Sequence, residues 1–250
     1  GIASAGSDWR DWKIMDVATG ETMENELKWV KFSGVSWTPD NAGIFYSRYD
    51  EPKEGEEFTG SNYFHKLYFH KLGTPQTDDQ LIYQRQQEKE WGFDGTVTED
   101  GHYLIIQVWR GTDPKSQLFY KDLQDEDGEV IELVAGFDAE YSFIGNSGTK
   151  FWLVTDSDAP KRRVIAIDVT SPEREHWTEV IAESKNVLQS VSLIGQRFVC
   201  SYLQDATTVA EVFPLTGGKG MVIQLPGIGS AGGFGGKEND PETFFSFSNY

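Results

Sequence analysis

A strand–turn–strand unit that recurs four times is the tightest constraint on what this chain can fold into. Residues 35–47, 95–107, 142–154 and 191–203 each read as a short strand, a tight polar turn and a second, more apolar strand. A third strand ending in a turn follows each unit, at 66–73, 118–123, 164–169 and 209–217, and a fourth follows at, for example, 81–83, 131–134 and 222–225. Corresponding positions Trp37, Val97, Ile144 and Leu193 are separated by 60, 47 and 49 residues. Four short strands every ~40 to 50 residues are the mark of propeller blades, each a small twisted sheet packed on its neighbours. Evenly spaced hairpins would also suit a β-sandwich, but here the order of turn types repeats along with the spacing. No window sustains apolar residues at helical period, so the expected class is all-β, a β-propeller of four-stranded antiparallel blades.

Counting strands divides the chain into a half-blade at 1–34, four blades over about 35–226 and a half-blade at 227–250. Residues 12–20 read as a third strand detached from its first two. Two halves at the ends permit either a closed five-bladed ring or an arc of a larger propeller. The 60-residue interval carries a surplus at 50–62, a charged, Gly-containing stretch between the second and third strands of its blade. Connections of that length are commonly functional or disordered, and a tolerated surface insertion is the plain alternative.

Composition narrows the partners. With 40 acidic against 22 basic residues the formal charge is −18, which disfavours nucleic acid and anionic membrane surfaces, because both demand clustered Lys and Arg. No run approaches the ~20 apolar residues of a membrane-spanning helix, and the first residues lack the basic flank and apolar core of a signal peptide. The single cysteine, Cys200, cannot close an intramolecular disulfide. A soluble protein of a reducing compartment is expected, cytoplasmic in the first instance, with the periplasm or disulfide-free secretion as alternatives. The chain begins without Met, as a processed form or a fragment would.

Catalytic motifs are sparse. Neither 145–149 nor 228–232 completes the Gly-x-Ser-x-Gly of a nucleophile elbow. The four histidines are scattered: His65 and His70, five apart, fall on opposite faces of a strand, and His102 reads as an exposed turn residue. Residues 229–236 are Gly-rich without the Lys-Ser/Thr of a phosphate loop and read as a flexible turn between strands. Residues 125–129 are acidic but lack EF-hand spacing, so no metal and no cofactor are expected. Asp94 and Glu140 precede inner strands, and central carboxylates serve as acid and base in five-bladed glycosidases, which keeps a sugar-cleaving alternative open. A stand-alone binding propeller is a third reading.

Gly6-Ser-Asp-Trp9, Val30-Lys-Phe-Ser33, Trp37-Thr-Pro-Asp40, the stretch 65–74, Gly111-Thr-Asp-Pro114, residues 118–123, Ile165-Ala-Ile-Asp168, Cys200-Ser-Tyr-Leu203 and Phe244-Phe-Ser-Phe247 together resemble the prolyl oligopeptidases, in one register along the whole chain. The similarity is to the later part of that family's seven-bladed propeller, about five blades' worth. It implies an arc, not a closed five-bladed ring. It also implies a parent serine endopeptidase cleaving short peptides after proline, whose α/β-hydrolase domain carries the Ser, Asp and His. This chain alone is then expected to be inactive, and the parent a monomer acting on short proline-containing peptides. By resemblance, Phe32 lines the pocket for a residue upstream of proline. Gly92 (or Phe93) and Thr112 stand where the familiar form has methionine and cysteine. The 50–62 surplus, with Asp50, Glu54, Gly55, Phe58, Gly60 and Asn62, matches a gating loop at the domain interface. Cys200, mid-strand, reads as a small buried hydrophobe.

Overall fold

The computed structural model describes residues 1–3, 8–53, 55, 62–125 and 127–249, with the backbone alone at 24 and 25. The chain forms two compact units, 1–136 and 137–250. The first unit holds three sheets. β1 (Ile2–Ala3), β2 (Arg10–Met15) and β3 (Thr22–Val30) form one; β4 (Val35–Trp37), β5 (Gly43–Arg48), β6 (Lys66–Lys71) and β7 (Gln80–Tyr83) form the second; β8 (Trp91–Val97), β9 (Tyr103–Arg110), β10 (Gln117–Asp122) and β11 (Ile131–Val134) form the third. The second unit holds β12 (Tyr141–Ser147), β13 (Lys150–Thr155), β14 (Arg163–Asp168) and β15 (Thr178–Ile181), then β16 (Val187–Ile194), β17 (Arg197–Gln204), β18 (Thr207–Pro214) and β19 (Met221–Val222), then the pair β20 (Gly229–Gly235) and β21 (Phe244–Asn249). Within each sheet consecutive strands pair antiparallel, so every connection is a local hairpin. Helical turns among the described residues are the short 3-10 segments Gln76–Asp78 and Arg174–His176.

The hairpins explain why the sequence repeats. In the second sheet Thr38 donates its hydroxyl to Asp40 at 2.6 Å, and the same carboxylate accepts the Ala42 N–H at 3.0 Å. In the third, Thr98 bonds Asp100 at 2.6 Å, and Asp100 accepts the His102 N–H at 3.0 Å. Asn41 and Gly101 take the left-handed position of these turns, at φ 55° and 73°. In the fifth sheet the connection shortens to Gly195 and Gln196, both at positive φ, the two-residue turn whose twist matches the strands it joins.

Cores lie between neighbouring sheets of each unit. Leu27 and Val30 of β3 meet Ile44, Tyr46 and Tyr68 of the second sheet. In the second unit Trp152, Val164, Leu193, Phe198, Cys200 and Phe213 form one cluster, with the Trp152 and Phe198 rings edge-on at 5.4 Å. Ile194, Val199, Ala210 and Phe234 form another. Each fully buried Leu, Ile or Phe contributes about 1.5–3 kcal/mol, so packing across the sheet faces outweighs any single hydrogen bond. Cys200 is fully buried in β17, as expected of a small hydrophobe.

Three sequence expectations are corrected. The opening residues supply three strands, because Ile2–Ala3 pairs with β2. The Gly-rich 229–235 segment is itself a strand: Phe234 anchors it in the core, and Gly229 lets the Ser248 carbonyl approach to 2.2 Å of where a Cβ would lie. His102 is only half-exposed, stacked on Tyr103 at 4.3 Å with Nε2 3.4 Å from Asp122.

Candidate functional site

Among the described residues, the loop joining β3 to β4 holds one of three aromatic residues of the first unit with left-handed backbone, the others being Trp29 and Phe64. Phe32 sits at φ 55°, a left-handed value that is costly for a bulky side chain, yet its ring is 60% exposed. Burial of the ring cannot be what compensates that strain. Main-chain and side-chain tethers on either side of it can. The Lys31 ammonium lies 5.2 Å from the Trp9 ring and 5.3 Å from the Phe32 ring, with Asp8 at 3.6 Å. The Ser47 N–H donates to Ser33 Oγ at 2.8 Å, and Gly34 donates its N–H to Asp94 at 3.0 Å.

His65 is the central tether. Its side chain is buried, with Nε2 3.1 Å from the Lys31 carbonyl and Nδ1 3.0 Å from the Phe93 N–H. Because Nδ1 must accept from that amide, the proton belongs on Nε2, which donates to Lys31. Burial disfavours the imidazolium and takes the pKa down to about 4, the bond to Lys31 opposing. The ring also contacts Tyr49 at 4.5 Å and Trp109 at 5.5 Å. Burial raises the Asp94 carboxyl above the usual range, with the Gly34 bond acting against it.

Gly92 lies opposite Trp109 across β8 and β9, and a Cβ on Gly92 would fall 2.2 Å from the indole. Alternation along β8 turns Phe93 inward, where it is 1% exposed and packs edge-on against Tyr83 at 5.1 Å. Thr112 is exposed on the turn after β9, which the Arg110–Asp113 ion pair closes at 2.8 Å. Hence the residues around Phe32, Gly92 and Asp94 are joined through His65 and Gly34, while Phe93 faces the core. The sequence assigns neither His65 nor Trp109 a role in this site, and sets His65 only against His70. A histidine five residues before another carries no signal, and the Gly92–Trp109 pairing requires the strand register.

Of the residues expected to form a gating loop, Asp50 is held by Lys66, whose ammonium meets both carboxylate oxygens at 2.5 and 2.6 Å. Gly55 takes φ 85°, and Asn62 is half-buried. Glu54, Phe58 and Gly60 lie outside the described residues. Just beyond, Tyr63 and Phe64 are exposed, with Lys89 4.4 Å from the Tyr63 ring. Glu140 belongs to the second unit and bonds Arg162 at 2.7 Å, whereas Asp94 belongs to the first. His70 is buried against Asp79 at 2.6 Å, away from His65's partners. Among the described residues no group of three or more His, Cys, Asp or Glu is placed to hold a metal ion.

The repeated four-stranded sheets define a β-propeller protein, with an exposed aromatic site on its first unit. The family model for the prolyl oligopeptidase N-terminal beta-propeller domain matches residues 1–250, and the chain belongs to that family. It is 37% identical over 249 residues to a prolyl endopeptidase of Elizabethkingia miricola and 36% identical to one of Elizabethkingia meningoseptica. Each alignment covers 100% of this chain and 35% of the relative. Among solved structures, a chain from a structural and mechanistic analysis of two prolyl endopeptidases matches with TM-score 0.88 at 33% identity, covering 98% of this chain and 35% of that one. The apo form of prolyl oligopeptidase B from Galerina marginata matches with TM-score 0.86 at 25% identity, covering 99% and 36%. The chain therefore spans about 35% of the length of the relatives it matches. Membership of this peptidase family displaces the glycosidase alternative based on Asp94 and Glu140.

Proposed function

We propose that this chain is the substrate-selecting part of a prolyl endopeptidase, a serine peptidase cleaving short peptides on the carboxyl side of proline. The bond-breaking Ser, Asp and His belong to an α/β-hydrolase domain of the same parent chain. The propeller covers that site, excludes folded proteins and lines the pocket for a residue upstream of proline.

The observation that carries this reading is Phe32. An exposed aromatic ring on a left-handed residue, pinned from both sides by His65 and Asp94, has no packing role that accounts for the strain. It does offer a preorganised apolar wall to a peptide side chain. Gly92 and Thr112 belong to the same pocket, Thr112 at its surface and Gly92 buried against the Trp109 indole. Phe93, being buried, acts as the support of His65 instead. Residues 50–62 form the gate, with Asp50 fixed at its base by Lys66.

The test uses the intact parent. Phe32→Ala should lower kcat/KM on a peptide with an apolar residue upstream of proline by about 5- to 30-fold, the value of roughly 1–2 kcal/mol of apolar contact. Shortening 50–62 should change the rate on long peptides more than on dipeptide reporters; equal effects would argue against a gate. Turnover of a proline peptide by the purified 250-residue chain would sink the division of labour.

A further inference from the structure

Gly92 and Trp109 are register partners, and the indole occupies the space a side chain at position 92 would take. A Cβ built there lies 2.2 Å from Cε2 and Cζ2 and 2.6 Å from Nε1. Glycine at 92 is therefore a condition for this placement of the indole. One side of the ring rests against His65, 5.5 Å away and inclined at 60°, while the residue as a whole is only half-buried. His65 in turn grips the carbonyl of Lys31, the residue before Phe32. Phe32 and Trp109 are thus each one step from the same buried imidazole, one through the main chain and the other through its ring. Among the described residues the indole N–H has no acceptor, which leaves it for a ligand carbonyl.

We infer that Trp109 is a substrate-contacting residue that sets specificity: it supplies a second aromatic surface to the pocket and favours a ring-bearing side chain upstream of proline. This rests on the pocket proposed above. Two aromatic surfaces select a ring over an aliphatic group, because paired rings gain energy from their quadrupoles beyond the area they bury. A small residue at 92 and a tryptophan at 109 amount to one wall contributed by β9 in place of β8.

The experiment compares kcat/KM of the intact parent on two short peptides that differ only in Phe or Ala upstream of proline. Trp109→Ala should lower the Phe/Ala ratio about tenfold, equivalent to about 1.4 kcal/mol, while Trp109→Phe should stay within about twofold of the starting ratio. A purely structural role would depress both peptides alike, and an unchanged ratio in Trp109→Ala overturns the inference. Should that variant not fold, Trp109→Leu keeps apolar bulk without a ring, and a retained ratio there is equally fatal. Failure of the unaltered parent to cleave either peptide after proline would instead bring down the pocket reading, and this inference with it.

Discussion

His65 should make the stability of the first unit depend on pH in a way that one substitution removes. The imidazole is buried, neutral and doubly engaged, with its pKa taken down to about 4. In the unfolded chain it titrates near 6.5. Above pH 6.5 both states hold it neutral and it contributes no pH dependence. As pH falls below 6.5 the unfolded state binds a proton that the native state refuses, so stability declines until about pH 4, where both are protonated. Between pH 7.5 and pH 5 this linkage is worth about 2 kcal/mol, a figure that follows from the two pKa values. His65→Gln keeps an amide donor for the Lys31 carbonyl and an acceptor for the Phe93 N–H but does not titrate. Urea unfolding at pH 7.5 and pH 5, for both forms, gives a double difference in which the many carboxylates cancel. The variant should lose roughly 2 kcal/mol less than the unaltered protein over that interval. A double difference below about 0.5 kcal/mol would refute the assignment of a buried neutral His65.

Three further outcomes follow from the packing. Gly92→Ala should destabilise by about 1–3 kcal/mol, since the methyl meets the Trp109 indole and no register change is available; the urea midpoint reads it. His70→Ala should cost about 3 kcal/mol or more by stranding the buried Asp79 carboxylate, whose other oxygen is held by Tyr46 at 2.5 Å, and a thermal melt would detect the loss. Cys200 should stay unreactive toward a thiol reagent at pH 8 until the protein is denatured, because burial pushes its thiol up to about 12; rapid labelling of the native form would contradict that.

The strands that could be read from the sequence are those whose side chains report burial at each step. Gly43–Arg48 and Lys150–Thr155 are apolar on both faces and end in strong turn residues, so they announce themselves at both ends. Thr22–Val30 does not: among its described side chains Glu26 and Lys28 are charged, and Leu27 and Val30 are the ones that reach the core. Gly229–Gly235 is harder still, because a glycine has no side chain with which to show alternation, and only Phe234 and the small Ala231 pack toward the core. Hydrophobic pattern thus recovers a strand in proportion to how many of its residues have something to bury.

The site was less legible for a different reason. Phe32, Gly92 and Thr112 could be proposed from resemblance, residue against residue, but the groups that make them a site act through the main chain. His65 bonds a carbonyl and an amide, and Asp94 bonds an amide, and any residue type presents those partners. No pattern of side chains in the sequence encodes such a contact. Yet these bonds are what allow a left-handed Phe32 to persist: the strain of its backbone is offset by bonds on either side of it that span 34 and 60 residues of the chain. A site built in this way tolerates change at the exposed ring more readily than at the buried tether. Replacing Phe32 alters only what is offered to a ligand. Losing His65 leaves a buried carbonyl and a buried amide unpaired, and releases the loop that holds the ring in place.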